Sequence, residues 1–285
     1  MIKFGILGGG FGIYGYLPAV HELGFEIVLL SRYKETVARR VELREYLPRI
    51  RFCASEDELI AASDFLVFAR TPLLQYHFIL RNLKELSLKK HVFLEKPLTT
   101  NSQQTNKLLE LFTQYNIRFS IAYLFGYSKW FKEISNASSN SFRFRVQWCI
   151  PIVESDWKNN SALGGGPLRF YGIHFFPLLF ELGIDIGKIR VKEDILSFRI
   201  EAFGQSTLEI DGTLVDENPF FSVTELSTGT LIFSESTPFG QKPTIGRPDP
   251  RVSIIKEYLE FELSEQSPIE KKILTEKKLD TILNR

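Results

Sequence analysis

Six short apolar runs, each separated from the next by an amphipathic stretch, set the architecture of the first 122 residues. The runs Ile2–Leu7, Glu26–Leu30, Arg51–Cys53, Asp64–Ala69, Val92–Leu94 and Arg118–Ala122 have the length of strands, whereas Tyr16–Leu23, Glu35–Tyr46, Glu56–Ala62, Leu73–Leu86 and Gln103–Tyr115 repeat their apolar residues at helical spacing. Strands that are apolar on both faces need cover on both, and interleaved helices provide it. The pattern therefore predicts an α/β domain with a doubly wound parallel sheet. After Ile134 the rhythm changes. Ser135–Asn140 is polar and loop-like, Phe142–Ile152 alternates as an antiparallel strand does, and strand-like runs recur at Leu196–Phe203, Thr207–Leu214, Phe220–Leu226 and Thr230–Ser234. A helix near Leu168–Leu182 interrupts them, and Ile254–Leu263 and Ile269–Leu283 close the chain. Two domains are expected, one over 1–122 and an α+β domain with a largely antiparallel sheet over 123–285, with Pro238–Pro250 a loop rather than a linker.

Gly8-Gly9-Gly10-Phe11-Gly12 follows the first strand and opens a helix containing Leu17-Pro18-Ala19-Val20. In that setting glycines let the backbone approach a pyrophosphate, which the free N–H groups of the helix start then hold. The G-x-G-x-x-G spacing is met by Gly10, Gly12 and Gly15, and its first two positions also by Gly8 and Gly10. This strand–turn–helix context predicts a dinucleotide site involving Gly8, Gly10, Phe11 and Gly12. The second strand ends in Ser31-Arg32, where an NAD site usually has a carboxylate for the ribose hydroxyls. An arginine and a hydroxyl suit a 2′-phosphate, so NADP is favoured, with NAD the alternative.

Lys96 lies just past the strand of Val92–Leu94, within Glu95-Lys96-Pro97. Carboxyl ends of parallel strands are where α/β sheets put working residues, and Lys-Pro is one of the few bonds that tolerates the cis form. With 35 Lys and Arg against 34 Asp and Glu, the net charge of +1 argues against nucleic acid as a partner. No apolar stretch reaches membrane-spanning length, and Met1–Gly8 reads as a strand rather than a signal peptide. Two distant cysteines, Cys53 and Cys149, match no metal spacing and fit a reducing compartment, so a cytoplasmic protein without a metal site is expected.

Taken in order, the glycine turn with Leu17-Pro18-Ala19, Ser31-Arg32, Thr71-Pro72, Glu95-Lys96-Pro97, and Gly164-Gly165-Gly166 leading to Gly172-Ile173-His174 resemble the Gfo/Idh/MocA oxidoreductases. The resemblance covers about residues 2–183. It implies a Rossmann domain followed by an open-faced, largely antiparallel sheet that often mediates homo-oligomers. It also implies hydride exchange between a nicotinamide cofactor and a hydroxyl or carbonyl carbon of a sugar, sugar nucleotide or related small molecule. Thr71, Pro72, Glu95 and Lys96 would border the cofactor, while Lys96 and His174 would contact the reacting oxygen and handle its proton.

The chain also departs from the family pattern. Phe170 stands where an aspartate commonly precedes the histidine by four residues, and Pro177 where another aspartate often follows it by three. Phe125-Gly126-Tyr127 replaces a tyrosine–arginine–phenylalanine signature, without its arginine. Three readings follow: a substrate less polar than a free sugar; Lys96 working with His174, Tyr171 or Tyr123; or an impaired catalyst that binds NAD(P) as a sensor or partner subunit. Tyr123, Trp157, Phe170 and Tyr171 are candidate substrate contacts.

Overall fold

Six parallel strands, β1 (Lys3–Leu7), β2 (Glu26–Leu30), β3 (Ile50–Cys53), β4 (Phe65–Phe68), β5 (His91–Leu94) and β6 (Phe119–Ile121), form a sheet in the order β3-β2-β1-β4-β5-β6. The computed structural model describes residues 2–137, 143–152, 157–204, 207–242, 244, 246–265 and 268–284. It divides into two compact units, Met1–Ala122 with Pro243–Ile273, and Tyr123–Lys242 with Leu274–Arg285. In the first unit β4 and β5 are buried along their whole length, as strands covered by helices on both faces must be. Phe4, Phe65 and Phe93 from three neighbouring strands stack across the sheet, with ring centroids 4.8 Å apart for Phe4–Phe65 and 5.9 Å for Phe4–Phe93. The strand order reverses between β1 and β4, and their carboxyl ends make the crevice where such sheets bind ligands.

The expected helix Glu35–Tyr46 is two shorter ones, Lys34–Arg39 and Val41–Arg44, parted by the extended backbone of Arg40. A larger difference concerns residues 243–273, which the sequence reading assigns to the second domain. They pack on the first unit. Helix Val252–Glu265 buries Val252, Ile255, Tyr258 and Leu259, and Tyr258 meets Phe93 edge-on at 5.9 Å. A polar tie accompanies this contact: Glu262 accepts from Ser120 Oγ at 2.5 Å and from Lys272 Nζ at 2.6 Å, and Ser120 bonds His91 Nε2 at 2.6 Å. Burial, with the charges of Lys272 and Arg118, pushes the His91 pKa down to about 3, so its imidazole is neutral. Apolar periodicity reveals that a helix is amphipathic but not which sheet it covers. Pro238–Pro250, read as an internal loop, thus contains the crossing from one unit to the other.

In the second unit a mixed sheet runs β12-β11-β7-β10-β9-β8, from β7 (Arg143–Pro151), β8 (Ile189–Glu193), β9 (Ser197–Phe203), β10 (Thr207–Val215), β11 (Phe220–Glu225) and β12 (Leu231–Glu235). Only β7 and β10 pair in parallel among these described strands. Alternate residues Phe144, Val146 and Trp148 of β7, Phe198 and Ile200 of β9, and Leu208 and Ile210 of β10 are buried, as a half-covered sheet requires. On the other face Arg145 pairs with Glu209 at 2.6 Å, and Arg199 with Glu201 at 2.9 Å and Asp211 at 3.2 Å. The cover includes helix Lys129–Ala137, absent from the sequence expectations, whose Trp130, Phe131 and Ile134 are buried and whose indole N–H donates to the Pro238 carbonyl at 3.0 Å. Of the polar stretch read as a loop, Ser135–Ala137 finish this helix, and residues 138–142 lie outside the described residues. The expected helix Leu168–Leu182 is a wide turn Pro167–Tyr171, a tight turn Gly172–His174 and an α-helix Phe175–Glu181.

The architecture is therefore α/β, a six-stranded parallel sheet followed by a unit with a mixed, mostly antiparallel sheet, as the strand and helix rhythm predicts.

Candidate functional site

Each unit contributes one group of candidate residues. In the first, the turn after β1 is shaped by contacts its glycines permit. A Cβ on Gly8 would stand 2.2 Å from the Ala69 carbonyl oxygen, so this close approach to the end of β4 requires glycine. A Cβ on Gly10 would meet nothing within 4 Å. Gly10 is bare toward open space, which fits a pyrophosphate brought against the backbone. Gly12 packs toward Ile6 and Ala69. Beside it Phe11 is covered by the Arg251 guanidinium at 4.1 Å from the ring centre, and Asp249 holds that arginine with bonds of 2.8 and 2.6 Å. Arg251 reaches the glycine turn from the returning tail, so no sequence motif marks it.

At the end of β2, Ser31 donates its hydroxyl to the Cys53 carbonyl at 3.0 Å. Arg32 faces Glu56 at 3.5 Å, and the same carboxylate oxygen binds Arg70, which follows β4. Burial raises the Glu56 pKa, but the Arg70 hydrogen bond and the charges of Arg70, Arg32 and Arg81 outweigh it and hold the carboxyl below its usual value. Neither Arg70 nor Glu56 is marked by the sequence reading.

The turn after β5 has a dedicated support. Thr71 and Pro72 begin helix Pro72–Arg81, with proline in the first turn, where its missing N–H costs nothing. One turn further, the fully buried Gln75 donates its side-chain amide to the carbonyls of Glu95 at 3.0 Å and Leu98 at 2.9 Å, and accepts from the Glu95 N–H at 3.2 Å. The Lys96–Pro97 bond between those carbonyls is cis. Glu95 accepts from Tyr16 Oη at 2.8 Å; desolvation raises its pKa against the opposing effect of that bond and of Lys96. Lys96 itself is half-buried.

In the second unit, the glycine triplet forms a scaffold for Trp157. Gly164 and Gly166 adopt φ of 86° and 103°, and a Cβ on Gly165 would lie 2.3 Å from the Trp157 carbonyl oxygen. Phe170 meets Trp157 edge-on at 5.0 Å and Tyr171 at 4.7 Å, forming an aromatic wall. His174, buried, stacks on Phe125 at 4.4 Å and packs against the edge of Tyr123 at 6.4 Å. Tyr123 Oη donates to Glu276 Oε1 at 2.9 Å.

Glu276 and Asp280 are one turn apart on helix Ile269–Leu283, both buried, with Arg169 in electrostatic range. Burial, opposed by the Tyr123 bond and reinforced by Asp280, pushes the Glu276 pKa up to about 8, and burial lifts Asp280 to about 6. The residue types missing from the family positions, carboxylate and arginine, thus appear in the same unit from Glu276, Asp280 and Arg169. Tyr171 also borders Trp148 at 5.6 Å.

Among the described residues no helix is long and apolar enough to cross a membrane. No curated protein matches the chain by sequence. Solved structures do match its fold. The WlbA (WbpB) dehydrogenase from Thermus thermophilus, in complex with NAD and UDP-GlcNAcA, is 15% identical with a TM-score of 0.70, the match covering 99% of this chain and 94% of that one. KijD10, a 3-ketoreductase from Actinomadura kijaniata in complex with NADP and TDP-benzene, is 14% identical with a TM-score of 0.67, covering 99% and 97%. A myo-inositol dehydrogenase from Corynebacterium glutamicum is 13% identical with a TM-score of 0.68, covering 100% and 96%. By sequence, residues 2–123 match the family model for an oxidoreductase family with an NAD-binding Rossmann fold. Over this stretch, with its open glycine turn and its lysine after β5, the chain is similar to the Gfo/Idh/MocA oxidoreductases.

Proposed function

We propose that the protein is an NADP-dependent oxidoreductase that moves a hydride between a nicotinamide cofactor and a hydroxyl or carbonyl carbon of a sugar, sugar nucleotide or related small molecule. The observation that carries this reading is the Gln75-held turn that presents Lys96 at the carboxyl end of β5, in a sheet whose glycine turn leaves Gly10 open. Gly8, Gly10, Phe11 and Gly12 hold the pyrophosphate, Thr71 and Pro72 border it, and Ser31 and Arg32 lie toward the adenosine ribose. The bound nicotinamide supplies or accepts the hydride. Lys96 hydrogen-bonds the reacting oxygen and moves its proton, and His174 is the second candidate acid–base group.

Several features bear on the substrate. Trp157 and Phe170 present aromatic surface rather than acceptors, and each unpaired buried hydroxyl costs about 1–3 kcal/mol. A nucleotide-linked or deoxygenated sugar suits that wall better than a free hexose or inositol. The nucleotide ligands bound to the Thermus and Actinomadura proteins point the same way. The alternative of a binding protein without turnover is not favoured by the comparisons. The charged outer face of the second sheet, where Arg145, Arg199, Glu209 and Asp211 alternate in sign, suits self-association into a homo-oligomer. The free thiols of Cys53 and Cys149 fit the cytoplasm.

A screen of nucleotide sugars, deoxy sugars and polyols with either cofactor tests this reading. With the substrate found, Lys96→Met lowers turnover about a hundredfold or more while NADPH affinity stays within about twofold. His174→Ala lowers turnover to a smaller degree. Wild-type rates in both variants would place the chemistry elsewhere.

A further inference from the structure

The carboxyl edge of the first sheet holds an arrangement that the motif residues do not explain. β2 and β4 flank β1, two strand spacings or about 10 Å apart. Arg32 follows β2 and Arg70 follows β4, yet both guanidinium groups reach the same oxygen, Glu56 Oε1, on the helix that follows β3. Arg70 is well buried, its side chain retaining 13% of its surface, whereas Arg32 retains 58%. Phe78 lies against the Arg70 guanidinium at 5.4 Å and Tyr33 against that of Arg32 at 5.1 Å, so both cations rest on aromatic faces. Arg81 adds a third positive charge acting on Glu56. Once Glu56 leaves, Arg32 and Arg70 together present two uncompensated positive charges.

A phosphomonoester carries about 1.5–2 negative charges near neutral pH, which matches that pair. Ser31, the other residue expected to receive a 2′-phosphate, has its one hydroxyl proton committed to the Cys53 carbonyl at 3.0 Å. Donors for a phosphate at this edge therefore come from arginine, and the planar guanidinium matches phosphate oxygens in pairs.

We propose that Arg32 and Arg70 form a two-arginine clamp for the 2′-phosphate of NADP, and that Glu56 is its internal counter-ion, displaced when the phosphate enters. This rests on the NADP reading above and adds to it a second specificity residue, from the far side of the glycine turn, together with a built-in competitor. Phosphate binding breaks the Arg32–Glu56 and Arg70–Glu56 pairs and releases the Glu56 carboxylate to solvent, so no covalent bond changes. The carboxylate sets the threshold: an NAD molecule, with only a ribose hydroxyl to offer, leaves the pairs in place.

Calorimetric titration of the full chain with NADP, NAD and inorganic phosphate, on wild type and on Arg32→Met, Arg70→Met and Glu56→Gln, tests this. Arg70→Met is expected to weaken NADP about tenfold or more and to leave NAD within about twofold, a pattern that also reports an intact fold. Glu56→Gln is expected to tighten NADP several-fold without tightening NAD. A weaker NAD in Glu56→Gln would make Glu56 the acceptor for the ribose hydroxyls and overturn the displacement. If Arg32→Met weakens NADP while Arg70→Met does not, the clamp fails and the cofactor reading stands. If wild type binds NAD and NADP alike and Arg32→Met changes neither, both fail. Inorganic phosphate binding as tightly as NADP, with the same loss in Arg70→Met, would make the site one for a free phosphate and overturn the assignment to the dinucleotide.

Discussion

Gln75 grips Glu95 twice, donating to its carbonyl at 3.0 Å and accepting from its N–H at 3.2 Å, and reaches across to Leu98 with a third bond of 2.9 Å. One amide side chain thereby fixes both sides of Lys96–Pro97. Gln75→Leu keeps the volume but leaves two carbonyls and an N–H without this partner. We expect a loss of about 2–4 kcal/mol in denaturant unfolding. Turnover should fall more than cofactor affinity does, because Lys96 loses its fixed direction. Equal stability of variant and wild type would show the turn to be held by other contacts.

Gly10 offers the opposite case. A side chain there has room, since its Cβ would meet nothing within 4 Å. Gly10→Leu is therefore expected to change unfolding stability by no more than about 0.5 kcal/mol. If this turn holds the pyrophosphate as proposed, fluorescence titration should nevertheless show NADPH and NADH binding abolished, because the leucine would fill the space open beside Gly10. Undiminished binding would move the phosphate away from this turn.

Glu276 and Asp280 predict a pH dependence of stability. Their folded pKa values, about 8 and about 6, lie above the ordinary 4.5 and 3.8. The folded chain therefore binds more protons than the unfolded one between these limits. The stability from both groups is fully present below about pH 4 and is lost as pH rises through 6 and then 8. Glu276→Gln preserves a carbonyl for Tyr123 and removes the titration. Urea unfolding across pH 5–8.5 should show wild type losing on the order of a few kcal/mol more than the variant. Parallel curves would mean that Glu276 is ionised throughout.

Restoring the family aspartate should not help. Phe170→Asp would exchange the contacts with Trp157 and Tyr171 for a carboxylate among aromatic rings. Thermal and denaturant unfolding should report a loss of about 2–4 kcal/mol, with no gain in turnover on the true substrate. A gain would show that the aspartate's partners survive in this chain.

The strands of the first sheet were legible because they are apolar on both faces, and their ends fall within a residue or two of the expected ones. β8 was not. Only Ile189 of its five residues is buried, so the segment offers no apolar run from which to read a strand. The motif residues could be proposed for a similar reason: Gly8–Gly12, Ser31-Arg32 and Glu95-Lys96-Pro97 each stand at adjacent positions. Their supports are not local. Glu276 reaches Tyr123 from 153 residues away, and Gln75 reaches Glu95 from 20. No spacing rule connects such pairs, because the fold rather than the chain brings them together. Phe170 marks the boundary between the two kinds of information. The sequence shows the missing carboxylate and offers His174, Tyr171 or Tyr123 as groups working with Lys96, while Glu276, bonded to Tyr123, is visible only in three dimensions.

The polypeptide passes between the two units three times, after Ala122, after Lys242 and after Ile273. A gene fragment ending at residue 122 would consequently omit Glu262 and Lys272, the partners of Ser120, along with the apolar cover from Val252, Ile255 and Leu259. Cutting this protein into independently folding halves therefore requires splicing 243–273 back onto 1–122 through a new linker. Nor can the second unit be exchanged as a simple cassette for that of a relative, because it enters and leaves the chain as an insertion followed by a terminal helix end.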